Sequence, residues 1–220
     1  MAYILNIDTS VEGASLCLSE DDRIISVVAN NKPKDHAAWI QPAIKNLMNI
    51  AGLSFKQLSA VAVSIGPGSY TGLRIGLSTA KGLCYALNIP LIAIGTLDMM
   101  AEAPKNAATD LICPMIDARR MEVFSAVYSK TKYIILEPTA LILDINSYSD
   151  LLQTNSILFF GNGSNKLKQL IDSPNAIFED VEIDASLLVK PAYQRYQQSD
   201  SNNLAYIEPT YIKQFHNLIK

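Results

Sequence analysis

Short apolar strand-like runs open the chain, and apolar positions three and four apart follow. Tyr3–Asp8, Ala14–Leu18 and Arg23–Ala29 read as three strands joined by short acidic or glycine-containing turns, Glu12-Gly13 and Glu20-Asp21-Asp22. The pattern then becomes helical over residues 36–51. Asp35 is placed as N-cap, Ile40, Ala43, Ile44, Leu47 and Ala51 form the apolar stripe, and Gly52 stops the helix. Pro42 inside that stripe predicts a kink or the true helix start. Residues 61–65 are rich in β-branched side chains and form a fourth strand, cut off by Gly66, Pro67 and Gly68. A long helix follows over 71–87, capped by Ser69 or Thr71, with Leu73, Leu77, Ala80, Cys84 and Leu87 on one stripe. Leu91–Ile94 closes the half as a strand. The small residues of this helix fall into two further sets, Gly72, Gly76 and Ala80, and Ser78, Gly82 and Ala86, either of which lets another backbone approach closely.

The second half repeats the theme. Strands are expected at 112–117, 122–128, 132–136, 157–160 and 176–182, with helices at 147–155, 164–171 and 185–197. Gln197–Asn203 reads as a mobile loop, and Ala205–Ile212 as an added strand or a docked segment. Three meandering strands, then helix, strand, helix, strand, is the order of the ribonuclease-H-like half from which the actin-like ATPase fold is built. The expected class is therefore α/β, with two lobes, 1–98 and 99–220, each a mixed sheet with flanking helices.

Composition narrows the setting. Of 220 residues, 49% are hydrophobic, enough for a substantial core without disulfide or metal staples. Cys17, Cys84 and Cys113 are odd in number, far apart and set in apolar runs, so packing is their expected role. No apolar run reaches membrane-spanning length and no leader pattern opens the chain, so a soluble cytoplasmic protein is the expectation. The formal charge of −3 and the lack of a basic run argue against strong nucleic-acid binding by this chain alone, while leaving room for a local patch.

The glycine turn is the strongest local feature. GPGSYTGLRIG, with glycines at 66, 68, 72 and 76, fits neither a Walker loop nor a dinucleotide or hydrolase-elbow spacing. Two readings stand: a phosphate cradle at a helix N-terminus, or a structural turn.

At this level of detail the chain resembles the bacterial TsaB family. The resemblance rests on ILNIDTS, His36 opening the first helix, PAIKNLMNIAGL, the long block GPGSYTGLRIGLSTAKGLCYALNIPLIAIGTLD, IDARRMEVF, and Glu208-Pro-Thr-Tyr-Ile-Lys213. It spans the chain and is densest over residues 1–125. It implies a non-catalytic partner subunit in tRNA threonylcarbamoyladenosine synthesis. In that pathway a larger, TsaD-like subunit transfers a threonylcarbamoyl group to the adenosine beside the anticodon of tRNAs reading codons that begin with A. A TsaE-like ATPase subunit completes the assembly. Pairing with the TsaD-like subunit, or with a second copy when alone, is implied through the helices near 36–51 and 71–87, with Ile40, Ile44, Leu47, Gly72, Arg74, Gly76 and Ala80 at the interface. Gly76→Arg is then expected to block pairing and spare the fold. tRNA is met only through the complex. No cofactor of its own is implied, ATP belonging at most to the assembly.

The larger subunit's His-x-x-x-His metal pair has no counterpart, because Ile40 stands four residues after His36 and the other histidine is His216. Asp8, Thr9 and Ser10 occupy the place of a kinase's first phosphate turn. Asp117-Ala118-Arg119-Arg120 lies roughly at the second, and Gly161-Asn162-Gly163 at the adenosine loop. Asp8, Thr9, Ser10, Arg119, Gly161 and Gly163 are accordingly the candidate nucleotide or anion contacts. The alternative function is a small-molecule kinase or ATPase of the same fold. A peptidase triad of Ser69, His36 and an aspartate has no support in spacing. No catalytic residue and no metal ligand is assigned.

Overall fold

The computed structural model describes residues 1–213 except 12, 31, 33, 34, 105 and 106, so Glu12 and His216 lie outside the described residues. The chain forms two units. The first joins Met1–Met99 to Ile183–Thr210, and the second joins Met100–Glu182 to the tail from Tyr211. This differs from two consecutive lobes 1–98 and 99–220, because the segment from Ile183 to Thr210 returns to the first sheet. Its anchors are specific: Ala185 N–H donates to Ser15 Oγ at 2.8 Å, and Arg195 Nη1 donates to Ala93 O at 2.6 Å.

The first unit holds β1 (Tyr3–Asp8), β2 (Ala14–Glu20), β3 (Arg23–Asn30), α1 (His36–Ile50), β4 (Leu58–Ser64), α2 (Tyr70–Leu87) and β5 (Leu91–Ile94). Its sheet runs β3-β2-β1-β4-β5, antiparallel through the meander and parallel from β1 to β5. β1 and β4 are central and buried along nearly their whole length, Asn6, Asp8 and Ser64 included. α1 and α2 pack their apolar stripes on this sheet, Ile40, Ile44 and Leu47 from one and Leu73, Leu77, Ala80 and Cys84 from the other, all at most 3% exposed. Ser69 caps α2, its Oγ accepting the Gly72 N–H at 3.2 Å. Gly52, at φ 67°, ends α1, with Leu53 N–H bonded to Met48 O. Asp35 occupies the N-cap position without making a side-chain cap bond, and α1 begins at His36 with Pro42 inside it. α3 (Thr96–Met100) leads to the second unit.

The second unit contains β6 (Leu111–Asp117), β7 (Glu122–Ser129), β8 (Ile134–Ile142), α4 (Ser149–Leu152), β9 (Ile157–Phe160), α5 (Ser164–Lys168) and β10 (Ala176–Phe178). The order β10-β9-β6-β7-β8 repeats the first sheet strand for strand, again with an antiparallel meander and two parallel additions. β10 is shorter than the expected 176–182, and β8 extends well beyond 132–136. In the returning segment, α6 spans Val189–Gln197 behind a short 3-10 turn at Ala185–Leu188. The stretch 197–203, expected to be mobile, is tied to β5. Asn202 N–H donates to Leu91 O, and Asn202 Oδ1 accepts the Ala93 N–H, both at 2.8 Å. Residues 205–212 add no strand. Residues 205–210 dock on α2 and the end of β4, through Lys81 Nζ to Ile207 O at 3.2 Å and Thr210 N–H to Ile65 O at 2.7 Å. Both sheets together give the expected α/β architecture of the actin-like ATPase, ribonuclease-H-like fold.

Candidate functional site

The acidic turn Asp8-Thr9-Ser10 closes β1. Asp8 is 1% exposed. Its Oδ1 accepts from Ser10 Oγ at 2.6 Å, from the Ser10 N–H at 3.0 Å and from Ser64 Oγ at 2.5 Å. One oxygen thus takes three neutral donors from the protein itself. Thr9 Oγ1 donates to Gly72 O at 2.7 Å, and Ser10 O accepts the Ser69 N–H at 2.7 Å.

The glycine turn explains itself by the same contacts. A Cβ on Gly68 would stand 2.2 Å from Ser10 O, one on Gly72 2.0 Å from Thr9 O, and one on Gly76 2.3 Å from Thr9 Oγ1. At Gly66, with φ 119°, it would meet Thr210 O at 2.4 Å. These glycines let the turn and α2 lie directly on the β1 turn and the docked tail. A phosphate cradle needs backbone N–H groups that remain available. Here Gly66 N–H donates to Thr96 Oγ1, Ser69 N–H to Ser10 O, and Gly72 N–H to Ser69 Oγ. Asp8, Thr9 and Ser10 are brought together, in a turn sealed by its own chain. Ser64 and Thr96, which complete that seal, were not singled out from the sequence. Both are single polar residues beside apolar strands, and nothing local marks them.

In the second unit Arg119, Gly161 and Gly163 also come together, around the β6 end. Asp117 N–H donates to Asn162 Oδ1 at 2.8 Å, and Gly163 N–H to Met115 O at 3.1 Å. A Cβ on Gly161 would stand 2.5 Å from Met115 O, so this glycine pair serves close packing on β6. Burial pushes the Asp117 carboxyl up. Hydrogen bonds from Lys166 Nζ and the Arg119 N–H, with the charges of Lys166 and Arg119, outweigh it and hold the group below its ordinary value. Lys166, missed in the sequence, bonds Asp117 Oδ1 at 2.6 Å and Glu122 O at 3.1 Å.

The expected docking face needs correction. Ile40, Ile44, Leu47, Gly72, Gly76 and Ala80 are buried in the first unit's own core and offer no surface, because the apolar stripe faces the sheet. Of the seven residues, Arg74 is exposed; its guanidinium lies 3.9 Å from the centre of the Tyr70 ring. Gly76→Arg would therefore drive a long side chain into Thr9 and Val63, and the fold is not spared. The outward face of α2 is the second small set, Ser78, Gly82 and Ala86, with Thr71, Arg74 and Tyr85, the last 85% exposed. A Cβ on Gly82 meets no described atom within 4 Å.

Ser69 Oγ is occupied as a cap, and His36 Nδ1 is buried without a hydrogen-bond partner, so nothing joins the two as a triad. Among the described residues, no three His, Cys, Asp or Glu side chains gather as a metal site, and no helix is long and apolar enough to cross a membrane.

Fold and site together define an actin-like two-unit protein whose acidic turn after β1 is packed against its own chain. Residues 24–206 match the family model described as TsaD, tRNA N6-adenosine threonylcarbamoyltransferase. The chain is 31% identical to the tRNA threonylcarbamoyladenosine biosynthesis protein TsaB of Bacillus subtilis, over 77% of this chain and 75% of that one. It is 29% identical to the TsaB of Escherichia coli, over 96% and 94%. A crystal structure from Pseudomonas aeruginosa, described as an uncharacterized protein with similarity to peptidase YEAZ, superposes with a TM-score of 0.82. It is 24% identical, with 97% of this chain and 100% of that one covered. The chain belongs to the TsaB family.

Proposed function

We propose that this chain acts in tRNA threonylcarbamoyladenosine biosynthesis as a partner subunit that performs no chemistry of its own. It pairs with a TsaD-like catalytic subunit through the outward face of α2, and a TsaE-like ATPase subunit completes the assembly. The same face serves a homodimer when the chain is alone. tRNA is engaged through the complex, ATP is used there if anywhere, and the compartment is the cytoplasm. The observation that carries the pairing is the open stripe Ser78, Gly82 and Ala86 beside exposed Tyr85, a helix face smooth enough for close approach. A small-molecule kinase is not favoured, since Asp8 spends one oxygen on Ser10 and Ser64, and the N–H groups of Gly66, Ser69 and Gly72 are bonded within the protein.

The test is reconstitution of the modification from unmodified tRNA, threonine, bicarbonate, ATP, the adenylate-forming enzyme and the TsaD-like and TsaE-like subunits, with and without this chain. Modified adenosine is expected only with it. Gly82→Arg is expected to fold, since the site is open and arginine favours helix over glycine, and to abolish pairing in size-exclusion chromatography. Equal modification without the chain would refute the subunit role, and undiminished pairing of Gly82→Arg would refute the α2 face.

A further inference from the structure

The β6–β7 hairpin tip is built against its own conformational preference. Arg119 and Arg120 are consecutive, both exposed, and both left-handed, at φ 70° and 52°. Left-handed positions favour Asn and Gly, because a Cβ there crowds the carbonyl oxygen that follows. The turn is nevertheless firmly closed. Ala118 N–H donates to Glu122 O at 3.1 Å, Glu122 N–H to Arg119 O at 3.2 Å, and Arg119 N–H to Asp117 Oδ1 at 2.5 Å.

The charges around the tip do not cancel. Asp117 is engaged by Lys166 at 2.6 Å, and Glu122 is engaged by Lys213. Each carboxylate at the hairpin base already has a lysine, so four cations face two anions in a chain whose net charge is −3. Strain retained at exposed arginines points to use rather than to stability. Guanidinium is also the side chain suited to bidentate phosphate contact.

We propose that this hairpin tip is a phosphate-contacting element for the RNA, with Arg119 and Arg120 each holding a backbone phosphate. The inference rests on the reading above, in which RNA is the substrate of the assembly, and it assigns this chain a direct share in holding it. Contacts of this kind position RNA without reading sequence.

The test uses the assembled complex and tRNA in filter binding across a salt series, with the double variant Arg119→Asn, Arg120→Gly. Removing two phosphate contacts is expected to lower the slope of log affinity against log salt by about 1.5, and to weaken binding about 30-fold at roughly 0.1 M salt. Thermal stability of the chain is expected to stay level or rise, because Asn and Gly both accept a left-handed φ. Arg119→Lys, Arg120→Lys keeps the charges and is expected to retain most of the slope. Arg23→Gln, Lys56→Gln removes two exposed charges elsewhere and is expected to leave it unchanged. A wild-type slope in the Asn-Gly variant overturns the proposal, as does loss of pairing in place of RNA affinity, or competition by ATP for the site in place of RNA. If the wild-type complex neither forms nor modifies tRNA, the functional reading fails and this proposal with it. If it does both and only the slope is unmoved, the hairpin assignment alone fails.

Discussion

Gly72 and Gly82 lie on one helix and accept one change, to alanine, with opposite expected signs. At Gly72 the new Cβ would stand 2.0 Å from Thr9 O and 3.2 Å from Ser69 Cβ and Oγ. Restoring ordinary contact means moving α2 off the β1 turn by about 1.5 Å. The turn cannot simply yield, because Thr9 Oγ1 bonds Gly72 O and Ser10 O bonds Ser69 N–H. Overpacking costs about 1–3 kcal/mol, and loss of the Thr9 bond adds about 1 kcal/mol. Alanine returns about 1 kcal/mol through helix propensity, leaving a net loss of about 2 kcal/mol. At Gly82 no described atom stands within 4 Å, so only the propensity gain of about 1 kcal/mol applies. At about 2–4 °C per kcal/mol, the melting temperature falls by about 6 °C for Gly72→Ala and rises by about 3 °C for Gly82→Ala. Trp39, the single tryptophan, packs against the first unit's core, so its fluorescence during heating reads this unit directly. A Gly72→Ala protein as stable as wild type would refute the close-approach argument.

Two further predictions concern titrating groups. Burial pushes the thiols of Cys17, Cys84 and Cys113 up to about 12, so a thiolate-selective reagent at neutral pH should leave the native protein unlabelled and react with all three in urea; rapid labelling of the native chain would contradict this. Asp117 is lowered in the folded state, so its stabilising contribution is present above the unfolded value of about 3.9 and is lost as pH falls through the folded value below it. Lys166→Gln should raise the Asp117 titration followed by carboxyl NMR, since burial remains while the ammonium is gone; an unmoved titration would remove Lys166 as the cause.

Much of the architecture could be read from local pattern, because each element carries its own period. The meander, the α2 stripe, the Ser69 cap and the Gly52 stop all follow from residues within one turn or strand of each other. What could not be read was placement over long range. The helical pattern after residue 185 is plain, but nothing local says that it covers the first sheet; the decisive bonds, Ala185 to Ser15 and Arg195 to Ala93, link positions 170 and 102 residues apart. The docking face failed for a related reason. An apolar stripe reads the same whether it meets a partner or the protein's own sheet. Gly72, Gly76 and Ala80 share an arc with Leu73 and Leu77, and that adjacency is the signal that they turn inward.

The two faces of α2 are physically linked. Gly72 and Gly76 admit Thr9 to the inner side, and Gly66, Gly68 and Ser69 lock the turn to Ser10, Thr96 and Thr210. Each such contact uses a donor or a space that a phosphate would require, so close packing and nucleotide capture compete for the same atoms. What the packing secures is position: a helix fixed along its inner side holds Ser78, Gly82, Tyr85 and Ala86 in one orientation before any partner arrives. A preorganised face spends less ordering entropy on association. With pairing through the proposed α2 face, loosening the inner side by Gly72→Ala should therefore weaken pairing as well as folding, although residue 72 is itself buried.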